Sequence, residues 1–192
     1  MFNPLLDFTG LPRFGEIRAE HVAPAIAALL EEARRAVDRV ARDTEPATWE
    51  SVVAPTETAF DHLERAWGAV SHLNAVVNTP AIRDAYNAAL PIVTAFHTDI
   101  AQDRGLFERF RALAAGTAFA ALDDARRMVV THALRDFRLG GAELADAAKA
   151  RLKTVQEELA TLSATFDDNV LDSENAFAHY VADERQLAGL PP

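Results

Sequence analysis

Val22, Ile26, Leu29, Ala33, Val37 and Val40 follow one another at steps of three and four, and Glu31, Arg34, Arg35, Asp38 and Arg42 occupy the opposite positions. That period matches the 3.6-residue turn of an α-helix and puts the apolar set on one buried stripe. A strand would need alternation, so this stretch predicts an amphipathic helix starting near Glu20. Pro24 falls in its first turn or so, where a missing N–H costs little.

The same period recurs along the chain. After the break at "DTEPATW", Phe60, Leu63, Trp67, Val70, Asn74 and Val77 form one stripe of a second helix. Thr79-Pro80 reads as an N-cap followed by a first-position proline, opening a third helix. Pro91 lies inside it and predicts a kink that frees the Asn87 carbonyl. "GLFERFRALAAG" is a shorter helix ended by Gly116. "LDDARRMVVTHALRDFRLGG" is the next, with Val129, Val130, Ala133, Leu134 and Phe137 inward and Gly140-Gly141 as its stop. The longest pattern is a near-heptad seam of Ala148, Leu152, Val155, Leu159, Leu162 and Phe166, with Lys, Arg, Glu and Gln around it. "AFAHYVAD" alternates as a short strand would. The first 18 residues are rich in Pro, Gly and Phe. They read as an extended arm whose Leu5, Leu6, Phe8, Leu11 and Phe14 lie against the body. The expectation is an all-α fold: an antiparallel bundle of about six helices over residues 19–192, a single domain, with one long C-terminal helix.

Charge and composition exclude several functions. A formal charge of -10 on 192 residues argues against a surface for nucleic acid or an anionic membrane, since a phosphate partner needs a basic patch. No apolar run approaches membrane-spanning length. The absence of cysteine removes thiol nucleophiles and thiolate metal sites and suits a reducing compartment. The opening residues have no basic head, long apolar core or small-residue cleavage site, so a secretory signal is not expected. A cytoplasmic protein is the expectation.

The six histidines are the chain's candidates for a catalytic or metal-binding motif. A zincin needs two histidines at i and i+4 with an intervening Glu as base, and no two histidines here have that spacing. Di-iron bundles need Glu three residues before His. The residues in that place are Arg18, Ala59, Ala69, Thr94, Val129 and Ala176. His132 with Asp136, and His179 with Asp183, have i, i+4 spacing. The first pair reads as a solvated helical hydrogen bond, and the second crosses the expected strand and fails on geometry. There is no phosphate-cradling glycine motif and no Gly-x-Ser-x-Gly elbow. "SHLNAVVNTPAIRDAYNAALP", residues 71–91, gathers the side chains of an active site, yet His72 lies roughly opposite its helix's apolar stripe with no base or nucleophile suggested nearby. The stretch reads as the wall of a site. Asn74, on the stripe, reads as structural.

"RAEHVAPAI", "SHLNAVVNTPAIRDAYNAALP", "ALRDFRLGG" and "NVLDSENAF", in that order, with the closing "VADERQLAGLPP", resemble the N-terminal region of the thimet oligopeptidase family of zinc metallopeptidases. The ordered set covers nearly the whole chain from Asn3. The resemblance implies a cytoplasmic endopeptidase that cuts short peptides in a deep channel between two helical lobes. Its zinc would be held by an HExxH pair and a downstream Glu and would activate water. No position here matches those residues, so no catalytic or metal residue carries over, and the substrate-contacting residues stay open. The chain is then expected to be an inactive piece, the channel-wall lobe, whose partners are the C-terminal catalytic half of the same polypeptide and peptide substrates. The competing reading is a stand-alone helical interaction module. A metal-carrying bundle is disfavoured by the missing ligand spacings.

Overall fold

The computed structural model describes residues 2–189. It is built from helices: α1 Ala19–Arg42, α2 Ala54–Val76, α3 Pro80–Ala101, α4 Arg104–Ala115, the single turn α5 Thr117–Ala120, α6 Asp124–Gly140 and α7 Asp146–Ala176. A π-helical turn, Trp49–Val53, leads into α2. The closing residues 190–192 of the sequence, Leu190, Pro191 and Pro192, lie outside the described residues.

Local chemistry sets the helix ends. The Thr79 side chain accepts from the Ile82 N–H, with Pro80 beside it at the first position. Asp103 and Asp123 cap α4 and α6 in the same way, satisfying N–H groups that have no partner within the helix. Gly141 closes α6 in the left-handed region at φ 98°, where a side chain would be strained. α2 ends against Asn78, the one non-glycine residue among those described with positive φ, at 45°. α3 is a continuous helix with Pro91 inside it.

Two apolar cores lie side by side along α1. Its Val22, Ile26, Leu29 and Ala33 join Leu63, Val70 and Leu73 of α2 and Val93 and Phe96 of α3. Val37 and Val40, one turn further on, join Val52, Leu106, Phe107, Phe110, Leu113, Val130 and Phe137. The whole α1 stripe is buried as its spacing requires. Phe60 and Ile100 touch both cores. Burying each such side chain is worth about 1.5–3 kcal/mol, so α1 is the spine of the body.

The structure corrects four expectations. On α2 the buried stripe runs through Ala59, Leu63, Ala66, Val70 and Leu73, whereas Asn74 is half-buried and Val77 exposed. The stripe tracks the 100° turn of the helix, and the stripe read from the sequence had drifted off it in the last turns. On α6 Val129 is exposed beside the buried Val130. In the arm Leu5 is buried and Phe8 packs on the first core, but Leu6, Leu11 and Phe14 are exposed. Residues 177–189 form no strand. Phe177 and Tyr180 are exposed, and alternation without a partner edge has nothing to pair with.

The arm is held by α2. Arg65 donates to the carbonyls of Phe8 at 3.2 Å and Gly10 at 2.8 Å, with its guanidinium 5.3 Å over the Phe8 ring. The His62 ring stacks flat on that of Phe8 at 4.2 Å.

Candidate functional site

The polar stretch 71–91 is a joint. Asn78 ends α2 in the left-handed conformation, which its short amide tolerates. Its Nδ2 donates to the Asn74 carbonyl at 2.6 Å, and its Oδ1 accepts from Arg83 Nε at 2.9 Å. The Arg83 guanidinium then reaches α7, donating to both carboxylate oxygens of Asp172 at 2.6 and 2.8 Å and lying 3.4 Å from Asp168. Such two-toothed contacts fix geometry as well as charge. That hydrogen bond holds the Asp172 carboxyl below its usual range and pushes the guanidinium above its own. Asn87 adds a bond to Asp168 at 3.2 Å.

Beside the joint, Tyr86 stacks on Trp67 at 4.9 Å. Burial pushes its phenol up, and the charges of Asp167 and Asp168 push the same way. His72 is outside this network: it is exposed and meets the Phe14 ring at 5.2 Å. Asn74 contributes chiefly its backbone carbonyl, its side-chain oxygen lying 3.4 Å from Asn78 Nδ2. The stretch therefore ties the end of α2 to α3 and α7.

α7 docks by a mixed side on which polar contacts reach the body. Lys149 Nζ donates to the Gln102 carbonyl at 2.9 Å, Gln102 returns a bond to the Lys149 carbonyl at 3.2 Å, and Lys153 pairs with Asp99 at 2.5 Å. Lys149, Leu152, Lys153, Glu157, Ala160, Ala164, Asp168 and Leu171 are its half-covered positions. From Val155 onward the heptad seam points away from the body, Leu152 being half-covered: Leu162 and Phe166 are each 67% exposed, with Val155, Leu159 and Val170 also exposed. None of the helix's 31 residues is buried. An amphipathic helix alone in water would turn that seam inward.

The second feature is a cleft of about 350 Å³ between α2, α3, α4 and α6. It opens where the two cores meet, with Phe60 and Ile100 in its walls. Glu57, Glu64, His97 and Asp136 also line it. His97 Nε2 lies 3.3 Å from Glu64, and Asp136 accepts from Arg135 at 2.7 Å. That bond, ahead of weaker help from His132, holds the Asp136 carboxyl low. Glu57 is missing from the reading of the sequence. It lies one turn before Asp61 on α2, and i, i+4 carboxylates on a helix carry no signal of a cleft.

The i, i+4 pairs form no site. Asp136 bonds Arg135 in place of the expected hydrogen bond to His132, which is exposed. Asp183 caps the 3-10 turn Glu184–Leu187 and pairs with Arg185 at 2.6 Å, away from His179. Among the described residues no three His, Asp or Glu side chains converge on a point where one ion would sit. Among them, too, no helix is long and apolar enough to cross a membrane.

Fold and site together define an all-α helical lobe with one long helix turned outward. The chain belongs to the neurolysin/thimet oligopeptidase family: the model of that family's N-terminal domain matches residues 26–149. Oligopeptidase A of Haemophilus influenzae is 36% identical over 191 residues, covering 100% of this chain and 28% of its own length. Oligopeptidase A of Escherichia coli is 38% identical over the same length with the same coverage. The probable cytosolic oligopeptidase A of Arabidopsis thaliana is 32% identical over 190 residues, or 99% of this chain and 27% of its own length. The chain thus spans about 28% of the length of the bacterial relatives it matches.

Proposed function

We propose that the chain is the N-terminal helical lobe, arm and body together, of a larger oligopeptidase A-like zinc metalloendopeptidase that hydrolyses short peptides in the cytoplasm. The zinc and its ligands belong to the C-terminal catalytic half of the same polypeptide. This lobe, inactive alone, forms part of the wall of the substrate channel and limits what enters. Neither nucleic acid nor membrane is a partner.

The observation that carries the reading is the outward seam of α7. Leu159, Leu162 and Phe166 are the side chains of a packing face, yet the helix is fixed by polar contacts on its other side. A face of that kind is stable when a second apolar body covers it. The family match and the short share of the relatives' length support a body supplied by the rest of the polypeptide. The work of this chain's own residues is positional: Asn78 and Arg83 set the direction of α7, and α7 presents the seam.

Separate expression tests the reading. The 192-residue chain should show no peptidase activity and hold no zinc by elemental analysis after dialysis. Mixing it with a separately expressed C-terminal half should raise cleavage of short peptides, and Leu162→Asp with Phe166→Asp should abolish that gain. A C-terminal half as active alone as the intact enzyme would overturn the proposal, as would one zinc per chain in the isolated lobe.

A further inference from the structure

The cleft between the two cores has a chemistry that the channel-wall role does not use. Its walls are aromatic and aliphatic: Phe96, Leu106 and Phe110 are all buried. Phe60 and Phe96 meet edge to face at 6.2 Å. A volume of about 350 Å³ falls within the range of small-ligand sites, which are mostly apolar with a few placed polar groups.

The polar groups here are mostly committed. Glu64 has His97, and Asp136 has Arg135. The Thr56 hydroxyl donates to the Val52 and Val53 carbonyls. Glu57 differs: it lines the cleft with its side chain open to solvent, and among the described residues it forms neither an ion pair nor a side-chain hydrogen bond. Burial pushes its carboxyl up, and the charge of Asp61 adds to the push. A carboxylate in such a place is relieved by a cation brought within reach.

We propose that this cleft binds a peptide segment in which an apolar side chain stands next to a lysine or arginine, the apolar group packing on Phe60 in the cleft wall and the cation meeting Glu57. The chain's overall charge of -10 favours approach of such a segment over an acidic one. The occupant's being a peptide rests on the proposed function. Binding to this chain alone requires no catalysis, so its failure leaves the peptidase reading intact, and loss of that reading leaves binding measurable.

The test is an NMR titration of the ¹⁵N-labelled 192-residue chain with three blocked dipeptides: acetyl-Phe-Lys-amide, acetyl-Phe-norleucine-amide and acetyl-Phe-Glu-amide. Shifts should cluster on Glu57, Phe60, His97 and Ala133. The lysine peptide should bind about threefold or more tightly than the norleucine peptide, the range of a partly exposed ion pair, and the glutamate peptide least. Glu57→Gln should remove the lysine advantage and leave norleucine binding unchanged. Ala133→Leu, which fills the cleft, should weaken all three peptides in a chain whose helical circular dichroism is intact. Equal binding of the lysine and glutamate peptides, or shifts confined to other surfaces, would overturn the proposal. So would a lysine advantage that survives Glu57→Gln. If either variant fails to fold, the charge series on the unaltered chain decides.

Discussion

Asn78→Ala is expected to loosen α7 without touching it. The substitution acts in two ways. It removes a part-buried amide that donates to the Asn74 carbonyl and accepts from Arg83, and two such hydrogen bonds are worth about 1–2 kcal/mol together. It also puts alanine at φ 45°, a left-handed conformation that costs a β-carbon-bearing residue about 1 kcal/mol or more. The expected sum is about 2–3 kcal/mol. At about 2–4 °C per kcal/mol for a chain of this size, the melting temperature should fall by roughly 4–12 °C. Asn78→Gly keeps the loss of the amide but relieves the backbone, so it should cost about 1 kcal/mol less. Urea denaturation followed by circular dichroism measures both variants, and hydrogen exchange resolves where the loosening lies. Amides of α7 near Asp168 and Asp172 should exchange faster in both variants, because Arg83 loses the group that steadies it. If Gly and Ala variants are equally unstable, the backbone argument is wrong. If α7 exchanges as before, Asn78 is not what orients Arg83 toward it.

Gly140→Ala should destabilise by about 1–3 kcal/mol, since a β-carbon there would lie 2.5 Å from that of Ala101; an unchanged denaturation midpoint would mean the α3–α6 contact gives way easily. Glu57→Gln should raise the melting temperature at pH 7. The raised carboxyl pKa means its contribution is complete below the ordinary carboxyl value, about pH 4.3, and is lost as pH climbs through the higher folded value; the advantage of Gln should therefore shrink on acidification, and growth of it would refute the assignment. His72→Ala should shift stability of this chain by no more than about 0.5 kcal/mol, and in the whole enzyme should lower kcat less than about tenfold, below the usual loss of a general acid or base; near-total loss of kcat in a folded, zinc-replete variant would place chemistry in this stretch.

What the sequence determined by itself is local. The α1 stripe, the Thr79-Pro80 start of α3, the Gly116 break and the Gly141 stop each depend on residues within a turn or two of one another. Helical period, side-chain caps and left-handed glycine are forces at that range. Asn74 and Val129 were misplaced because a period alone does not fix the edges of a stripe; those edges depend on which neighbour packs there. Tertiary structure decided which side of α7 faces the body. Its apolar seam was legible, but the half-covered side is the one on which Lys149, Lys153 and Asp168 find partners more than 45 positions away in the chain. The strand suggested by "AFAHYVAD" depended in the same way on a partner edge, and the described residues offer none. The cleft was invisible for the same reason. Glu57, Phe60, Phe96 and Ala133 come from three helices, and the space they enclose exists only because two cores along α1 meet without filling it.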